Sequence, residues 1–117
     1  MPTVVKKNGP REPFARDKLL KSLHIACNKR PVSADTLEGR ADQLERELAE
    51  SGEKEIDASE IGSRVMQLLR ELDEVAYVRF ASVYKSFRDI DEFMDEMGKL
   101  VRSRTDAAGN GKSQAKS

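Results

Sequence analysis

The sequence predicts a mainly helical α+β fold, in which a bundle of four to five helices is capped by a small sheet of two or three strands. Three observations support this prediction. Apolar residues recur at helical spacing over most of residues 16–101. A short segment of strand and turn residues precedes them, at residues 4–14. The 117 residues, of which 38% are hydrophobic and 36% are charged, suffice for one folded domain with a core.

The opening segment VVKKNGPREPF predicts a β-hairpin. Val4 and Val5 are β-branched, and Asn8-Gly9 tolerates the positive φ angles of a tight turn. The prolines on the second half of the segment, Pro13 among them, cannot donate ladder hydrogen bonds, so the sheet must be small or this strand must lie at its edge. Because an isolated hairpin is marginal in water, we expect it to lie on the helices.

The next segments predict two helices and a third strand. Residues 16–28 form the first helix, which Pro31 ends. Ser33 is the predicted N-cap of a second helix, whose apolar residues recur at spacings of four, three and four. Glu55-Ile56-Asp57 predicts a short third strand. The apolar faces of the two helices consist of Leu19, Leu20, Leu23, Ala26 and Cys27, and of Leu37, Ala41, Leu44 and Leu48.

Three further helices follow. Asp57 and Glu60 have the spacing of a capping box at the start of the third helix. The fourth helix, from about Asp73, has almost no polar side, which predicts a central helix buried on several faces. Asp89 and Glu92 again have a cap-like spacing at the start of a fifth helix, and the chain beyond about residue 105 is polar. We therefore predict one folded domain, residues 1–101, and a disordered basic and polar tail, residues 102–117.

The charges are unevenly distributed although the net charge is zero. Residues 1–33 hold eight Lys/Arg and two Asp/Glu, a balance of +6. Residues 34–60 hold three Lys/Arg and ten Asp/Glu, a balance of −7. Two interpretations are open: the two segments neutralise each other at the surface, or the basic segment holds an anionic ligand.

The candidate residues for an anion are Lys6, Lys7, Arg11 and Lys18. Alternation along the first strand places Val4 and Lys6 on one face and Val5 and Lys7 on the other. Lys18 falls in the first turn of the first helix, where N–H groups and the helix dipole favour a phosphate. Solvated surface lysines are the competing interpretation, since the chain contains no GxxxxGK[ST] motif.

Several classes of protein find little support in the sequence. His24 is the only histidine and Cys27 the only cysteine, which leaves no basis for a catalytic triad, a disulfide framework or a cysteine-based zinc site. We therefore expect a protein that is not an enzyme. No apolar run approaches the ~20 residues of a membrane span, and no secretory signal is evident. These observations predict a cytoplasmic location without membrane partners.

Two motifs, VVKKNG-REPF-RDKL and LDEVAYVRFASVYKSF, resemble the ATP-cone family, and together they resemble the NrdR family of bacterial transcriptional repressors, which control ribonucleotide reductase genes. The resemblance runs from about Thr3 to Leu100. It implies a helical bundle capped by three strands, with ATP or dATP, accompanied by Mg²⁺, bound beneath the sheet. It also implies a homo-oligomer whose size changes with the nucleotide. Promoter DNA is implied as a partner only through a four-cysteine zinc ribbon, which these residues lack.

The resemblance also implies which residues bind the nucleotide. The first strand would line the site with its lysines toward the phosphates, and Leu19 would touch base or sugar. Glu12 could accept a hydrogen bond from a hydroxyl or amino group, and Tyr84 would be the aromatic residue near the nucleotide. The full set of implied site residues is Val4, Val5, Lys6, Lys7, Glu12, Lys18, Leu19, Tyr84 and Lys85.

Three positions depart from the family pattern. Ala15 stands where a capping Asp, Asn or Ser is usual, which removes a cap worth ~1 kcal/mol. Ala58 replaces a hydroxyl residue, and Lys7 replaces an arginine and loses its planar fork. Two alternatives remain open: the allosteric cone of a ribonucleotide reductase large subunit, and a helical interaction module that binds no nucleotide.

Overall fold

The computed structural model describes the backbone of residues 1–115 and the side chains of residues 1–103. The chain divides into two compact units, Met1–Tyr84 and Lys85–Ser117. The predicted division at residue 101 stays a prediction. In the described chain, the first unit comprises β1 (Thr3–Val5), β2 (Arg11–Pro13), α1 (Arg16–Ala26), α2 (Ala34–Glu50), β3 (Glu55–Asp57), α3 (Ala58–Leu72) and α4 (Glu74–Tyr84), and the second comprises α5 (Ile90–Ala115). This confirms the predicted class of a helical protein with a small sheet.

The sheet has three strands in the order β2-β1-β3. β1 pairs with β2 in antiparallel orientation and with β3 in parallel orientation, so that Val4 lies between Glu12 and Ile56. The hairpin turn uses Gly9 at a φ of 98°, which a residue with a side chain rarely adopts. β2, which contains Pro13, lies at the edge of the sheet, as the missing N–H of proline requires.

The helix caps follow the sequence at some positions and depart from it at others. The Ser33 hydroxyl oxygen accepts a hydrogen bond from the Thr36 N–H at 3.1 Å, and the Asp89 carboxylate accepts one from the Glu92 N–H at 2.9 Å. Both predicted caps are thereby confirmed. The predicted capping box at Asp57 is wrong in its chemistry, because Asp57 is the N-cap residue of α3 but its side chain makes no cap hydrogen bond.

The core of the first unit lies where α1 packs on α2 and α4, and α3 packs on α4. Tyr77 is fully buried, and its hydroxyl oxygen accepts a hydrogen bond from the Arg70 guanidinium at 3.0 Å. The Arg70 guanidinium carbon also lies 4.9 Å from the centre of the Tyr77 ring, so the cation covers the aromatic face. The largest fully buried aliphatic residues are Leu23, Leu37, Leu48 and Leu69.

The prediction that α4 is buried on several faces is wrong. Its neighbours α1 and α3 cover the side that carries Ala76, Tyr77 and Ala81, and these residues are buried. Val75 and Val83 are exposed. The composition of a helix shows how much apolar surface it offers, but the number of elements packed on it decides how much of that surface is buried.

Within the second unit, the Phe87 and Phe93 rings meet edge to face, with centroids 5.5 Å apart. The Lys85 ammonium lies 2.9 Å from a carboxylate oxygen of Glu96, whose side chain is buried. The backbone of α5 continues to Ala115, further than the helical pattern predicted. The side chains after residue 103 lie outside the described part, so the proposed role of residues 102–117 as a separate tail stays a prediction.

In the described part of the chain, no helix combines the length and the apolar character that a membrane span requires.

Candidate functional site

A cavity of about 220 Å³ lies beneath the sheet, between β1, β2 and three helices. Its roof comes from Val4 and the β2 segment, and its walls come from α1, the first two turns of α3, and Phe80 of α4. Apolar side chains form most of the surface, and Glu12 and Lys18 supply charge. The residues that line the cavity are Val4, Glu12, Pro13, Phe14, Ala15, Lys18, Leu19, Ser22, Ala58, Ile61, Gly62, Val65 and Phe80.

The register of the sheet decides which strand residues reach the cavity. Val4 and Glu12 are directly paired across β1 and β2, so their side chains share one face of the sheet. Val5, Arg11 and Glu55 lie on the opposite face, where the Arg11 guanidinium pairs with the Glu55 carboxylate at 2.5 Å. The sheet is therefore a lid with an apolar and acidic inner face and an ion pair outside.

Glu12 joins the lid to α1 through two lysines. One Glu12 carboxylate oxygen lies 3.3 Å from the Lys6 ammonium and 3.6 Å from the Lys18 ammonium. The hydrogen bond from Lys6 is the largest cause that lowers the pKa of Glu12, and the positive charge of Lys18 adds to it. Lys6, Lys18 and Glu12 together therefore carry two positive charges and one negative charge at neutral pH. This leaves a net positive charge beside an apolar cavity.

The start of α1 adds to this positive potential. Ala15 is the N-cap residue, and in the described chain no side chain caps the first-turn N–H groups of α1. These N–H groups and the helix dipole attract an anion at the same end of the helix that carries Lys18. Asp17, in the same turn, offsets part of this charge.

An aromatic pair lies beside the cavity at the end of α4. The Phe80 and Tyr84 rings are stacked, with centroids 5.5 Å apart, and the Tyr84 hydroxyl donates a hydrogen bond to the Ser59 carbonyl oxygen at 3.0 Å. The Tyr84 ring covers Gly62 so closely that a Cβ atom there would lie 2.2 Å from the ring carbon Cζ. Glycine is therefore required at position 62 for this position of the ring.

Comparison of the sequence with known proteins identifies its family. The sequence model of the ATP cone domain family matches residues 2–90. The transcriptional repressor NrdR of Sorangium cellulosum is 64% identical over 104 residues, which cover 89% of this chain and 68% of that protein. NrdR of Myxococcus xanthus is 60% identical over 99 residues, which cover 85% of this chain and 59% of that protein. The chain belongs to the NrdR family. The resemblance inferred from the two sequence motifs is thereby confirmed.

The structure brings several of the residues implied by the NrdR resemblance to one place. Four of the nine line the cavity, Val4, Glu12, Lys18 and Leu19. Lys6 does not line the cavity, but its ammonium group pairs with the Glu12 carboxylate. Tyr84 lies against Gly62 and Phe80 at the cavity wall. All of these side chains belong to the first unit. Their role in binding a nucleotide remains a prediction.

The other three implied residues lie elsewhere. Val5 is on the opposite face of the sheet, and Lys7 is exposed in the hairpin turn. Lys85 belongs to the second unit, where it pairs with Glu96. The apolar walls of the cavity were not predicted from the sequence; they come from Phe14, Ile61, Gly62, Val65 and Phe80. Gly62 offered a signal, because a glycine inside an otherwise good helix often marks a close approach.

Proposed function

We propose that this chain is the nucleotide-sensing regulatory domain of a transcriptional repressor. It binds ATP or dATP beneath the sheet, and the bound nucleotide changes the oligomeric state of the repressor. The observation that carries the proposal is the meeting of Lys6, Lys18 and the uncapped start of α1 at the edge of an apolar cavity. Phosphate requires positive charge and N–H donors, and a nucleobase requires apolar and aromatic surface.

The size of the cavity indicates that only part of the nucleotide is enclosed. At about 220 Å³, the cavity is smaller than the ~300–1,000 Å³ of typical ligand sites. In our proposal the cavity encloses the base and part of the sugar, and the phosphates lie outside, against Lys6 and Lys18. Glu12 is then placed to accept a hydrogen bond from a hydroxyl or amino group of the ligand.

Magnesium would enter the site together with the phosphates. Among the described residues, no group of three or more His, Cys, Asp or Glu side chains could hold a metal ion. Mg²⁺ usually keeps several waters and binds through substrate phosphates, so it needs no dedicated set of protein ligands here. Its contribution in this site would be to neutralise part of the phosphate charge.

The regulatory role rests on the relatives. Both proteins described above are named transcriptional repressors, which favours a repressor domain over a cone of the reductase itself and over a catalytic role. The chain spans 68% and 59% of their lengths, so the repressor activity of the whole proteins is proposed for this chain only as the part that responds to the nucleotide. Contact with promoter DNA is assigned in this proposal to a zinc ribbon, when the protein has one.

Calorimetric titration of the purified chain with ATP, dATP and GTP tests this proposal. We expect a dissociation constant in the micromolar range or below for at least one adenine nucleotide, and binding of GTP at least ~10-fold weaker. Sedimentation with each nucleotide then tests whether the assembly changes. A folded chain that binds neither ATP nor dATP would contradict the proposal.

Replacing Gly62 with alanine is expected to weaken adenine nucleotide binding by about 10-fold. The new methyl group must displace the Tyr84 ring, which loses its stacking on Phe80 and its hydrogen bond to Ser59. Alanine also favours the helix by ~1 kcal/mol, which offsets most of the loss of stability. Calorimetry and thermal melting would measure the two effects.

The control for this prediction is a double-variant cycle with Tyr84→Ala. Once the ring is absent, Gly62→Ala has nothing to displace, so it should change the affinity by less than ~2-fold in that background. An equal loss in the presence and absence of the Tyr84 ring would show that the methyl group acts in another way.

A further inference from the structure

A second concave surface lies on α1 and α4. This groove has a volume of about 660 Å³ and adjoins the nucleotide cavity, with which it shares Ser22 and Phe80. Its surface is mainly apolar, and Arg79 supplies the charge among the described residues that line it. The lining residues are Ser22, Ile25, Ala26, Val78, Arg79, Phe80, Ser82 and Val83.

The groove exposes large apolar side chains to water. Ile25 is 64% exposed on α1, and Val83 is 81% exposed on α4. Single exposed apolar residues are common, but several that line one groove are typical of a surface that binds a partner. The groove is also where α4 departs from the burial predicted from its composition.

The rim of the groove is positively charged. Lys21 lies one turn before Ile25 on the same side of α1, and both residues are exposed. The Arg79 guanidinium donates hydrogen bonds to the carbonyl oxygens of Ala26 at 3.1 Å and Asn28 at 2.7 Å, which fixes its charge at the end of α1. A complementary partner should therefore present an apolar stripe flanked by acidic residues.

Helix α5 of the second unit has these properties. Ile90, Met94, Met97 and Val101 follow one another at spacings of four, three and four, which places them on one side of the helix. Ile90 is 69% exposed and Met94 59% exposed. Two exposed acidic residues, Asp91 and Asp95, flank this stripe over the first two turns.

We propose that the groove on α1 and α4 binds the apolar stripe of α5 from a second copy of this chain. The spacing of the four stripe residues is that of an amphipathic helix lying in an apolar groove. The acidic flank of the stripe matches the basic rim of the groove, which orients the helix. Each copy offers one groove and one stripe, so either copy of a pair can supply the helix and the other the groove.

The contact gives the oligomeric change in the proposed function a physical basis. Phe80 lines both the cavity and the groove, so a ligand that moves this ring also changes the surface on which α5 docks. The contact itself does not require a nucleotide. Its failure would therefore leave the proposal of nucleotide binding unaffected, and calorimetry with ATP measures that separately.

Sedimentation of Ile25→Glu and Met94→Glu variants, alone and mixed, tests the contact. The first variant has a damaged groove and an intact stripe, and the second has the reverse. Each alone should associate at least ~10-fold more weakly than the wild-type chain, both without nucleotide and with saturating ATP. An equal mixture should recover dimers, because the heterodimer keeps one intact groove and one intact stripe.

Ala49→Glu is the matched control, since it places the same charge on an exposed position of α2 and should leave association unchanged. Thermal melting checks that the variants are folded, and Ser82→Glu serves as a second groove variant if Ile25→Glu does not fold. Three results would overturn the proposal: a wild-type chain that is monomeric with and without ATP, variants that associate like the wild type, or two monomeric variants whose mixture remains monomeric.

Discussion

Replacement of both Lys6 and Lys18 with alanine is expected to weaken ATP binding by at least ~100-fold. A hydrogen bond between charged groups contributes ~1.5–3 kcal/mol, and each 1.4 kcal/mol corresponds to a factor of ten in affinity. The two ammonium groups come from the sheet and from α1, and both lie within 3.6 Å of the same Glu12 oxygen. A phosphate group at this edge can therefore contact both, and calorimetric titration measures the loss.

Glu12 makes the double replacement more severe than the two single ones. Each single variant leaves the other lysine beside the carboxylate, whereas the double variant leaves that negative charge facing the phosphates without a cation. Addition of Glu12→Gln to the double variant should therefore recover part of the affinity, about 3- to 10-fold, because it removes the repulsion.

The matched control is Arg46→Ala/Lys54→Ala, which removes two exposed cations that line neither the cavity nor the groove. It should leave the affinity for ATP within ~2-fold of the wild-type value at physiological ionic strength. If Lys6→Ala/Lys18→Ala behaved in the same way, the phosphates would not lie at this edge of the cavity.

Asp73→Ala is expected to lower the free energy of unfolding by about 3 kcal/mol. The Asp73 side chain is 8% exposed and accepts hydrogen bonds from the Arg30 guanidinium at 2.8 Å and from the Ala76 N–H at 3.0 Å. It therefore caps α4 and ties that helix to the connection between α1 and α2. Denaturation in urea measures the loss, which is large because the replacement leaves Arg30 and a helix N–H without their acceptor.

Glu71→Ala is the control for this prediction. Glu71 pairs with Arg40 at a similar distance, 2.7 Å, but half of its side chain is exposed. Water screens such a pair, so its loss should cost less than ~1 kcal/mol. Equal losses for Asp73→Ala and Glu71→Ala would show that burial and capping add nothing at Asp73.

The same residue gives the stability a defined dependence on pH. In the folded chain, the hydrogen bond from Arg30 lowers the pKa of Asp73 below its ordinary value of 3.8. A group with a lowered folded pKa stabilises the fold above its unfolded pKa, and this contribution disappears as the pH falls through the folded value. Asp73→Asn should therefore lose less stability than the wild type when the pH falls below about 4.

Local patterns in the sequence determined the elements of this protein. The β-branched pair and the Asn-Gly turn predicted the hairpin, and the apolar spacings predicted α1, α2 and α3, because both depend on residues that are near in sequence. The Ser33 and Asp89 caps were predictable for the same reason. The two motifs also identified the family, which the comparisons confirmed.

Only the tertiary structure decided how these elements meet. The pairing of β1 with β3 joins residues about 50 positions apart, and it completes the sheet above the cavity. The position of Glu12 between Lys6 and Lys18, and that of the Tyr84 ring over Gly62, depend on packing between elements that no local spacing encodes. The exposed side of α4 has the same origin, since hydrophobic burial depends on which neighbours reach a surface as well as on its composition.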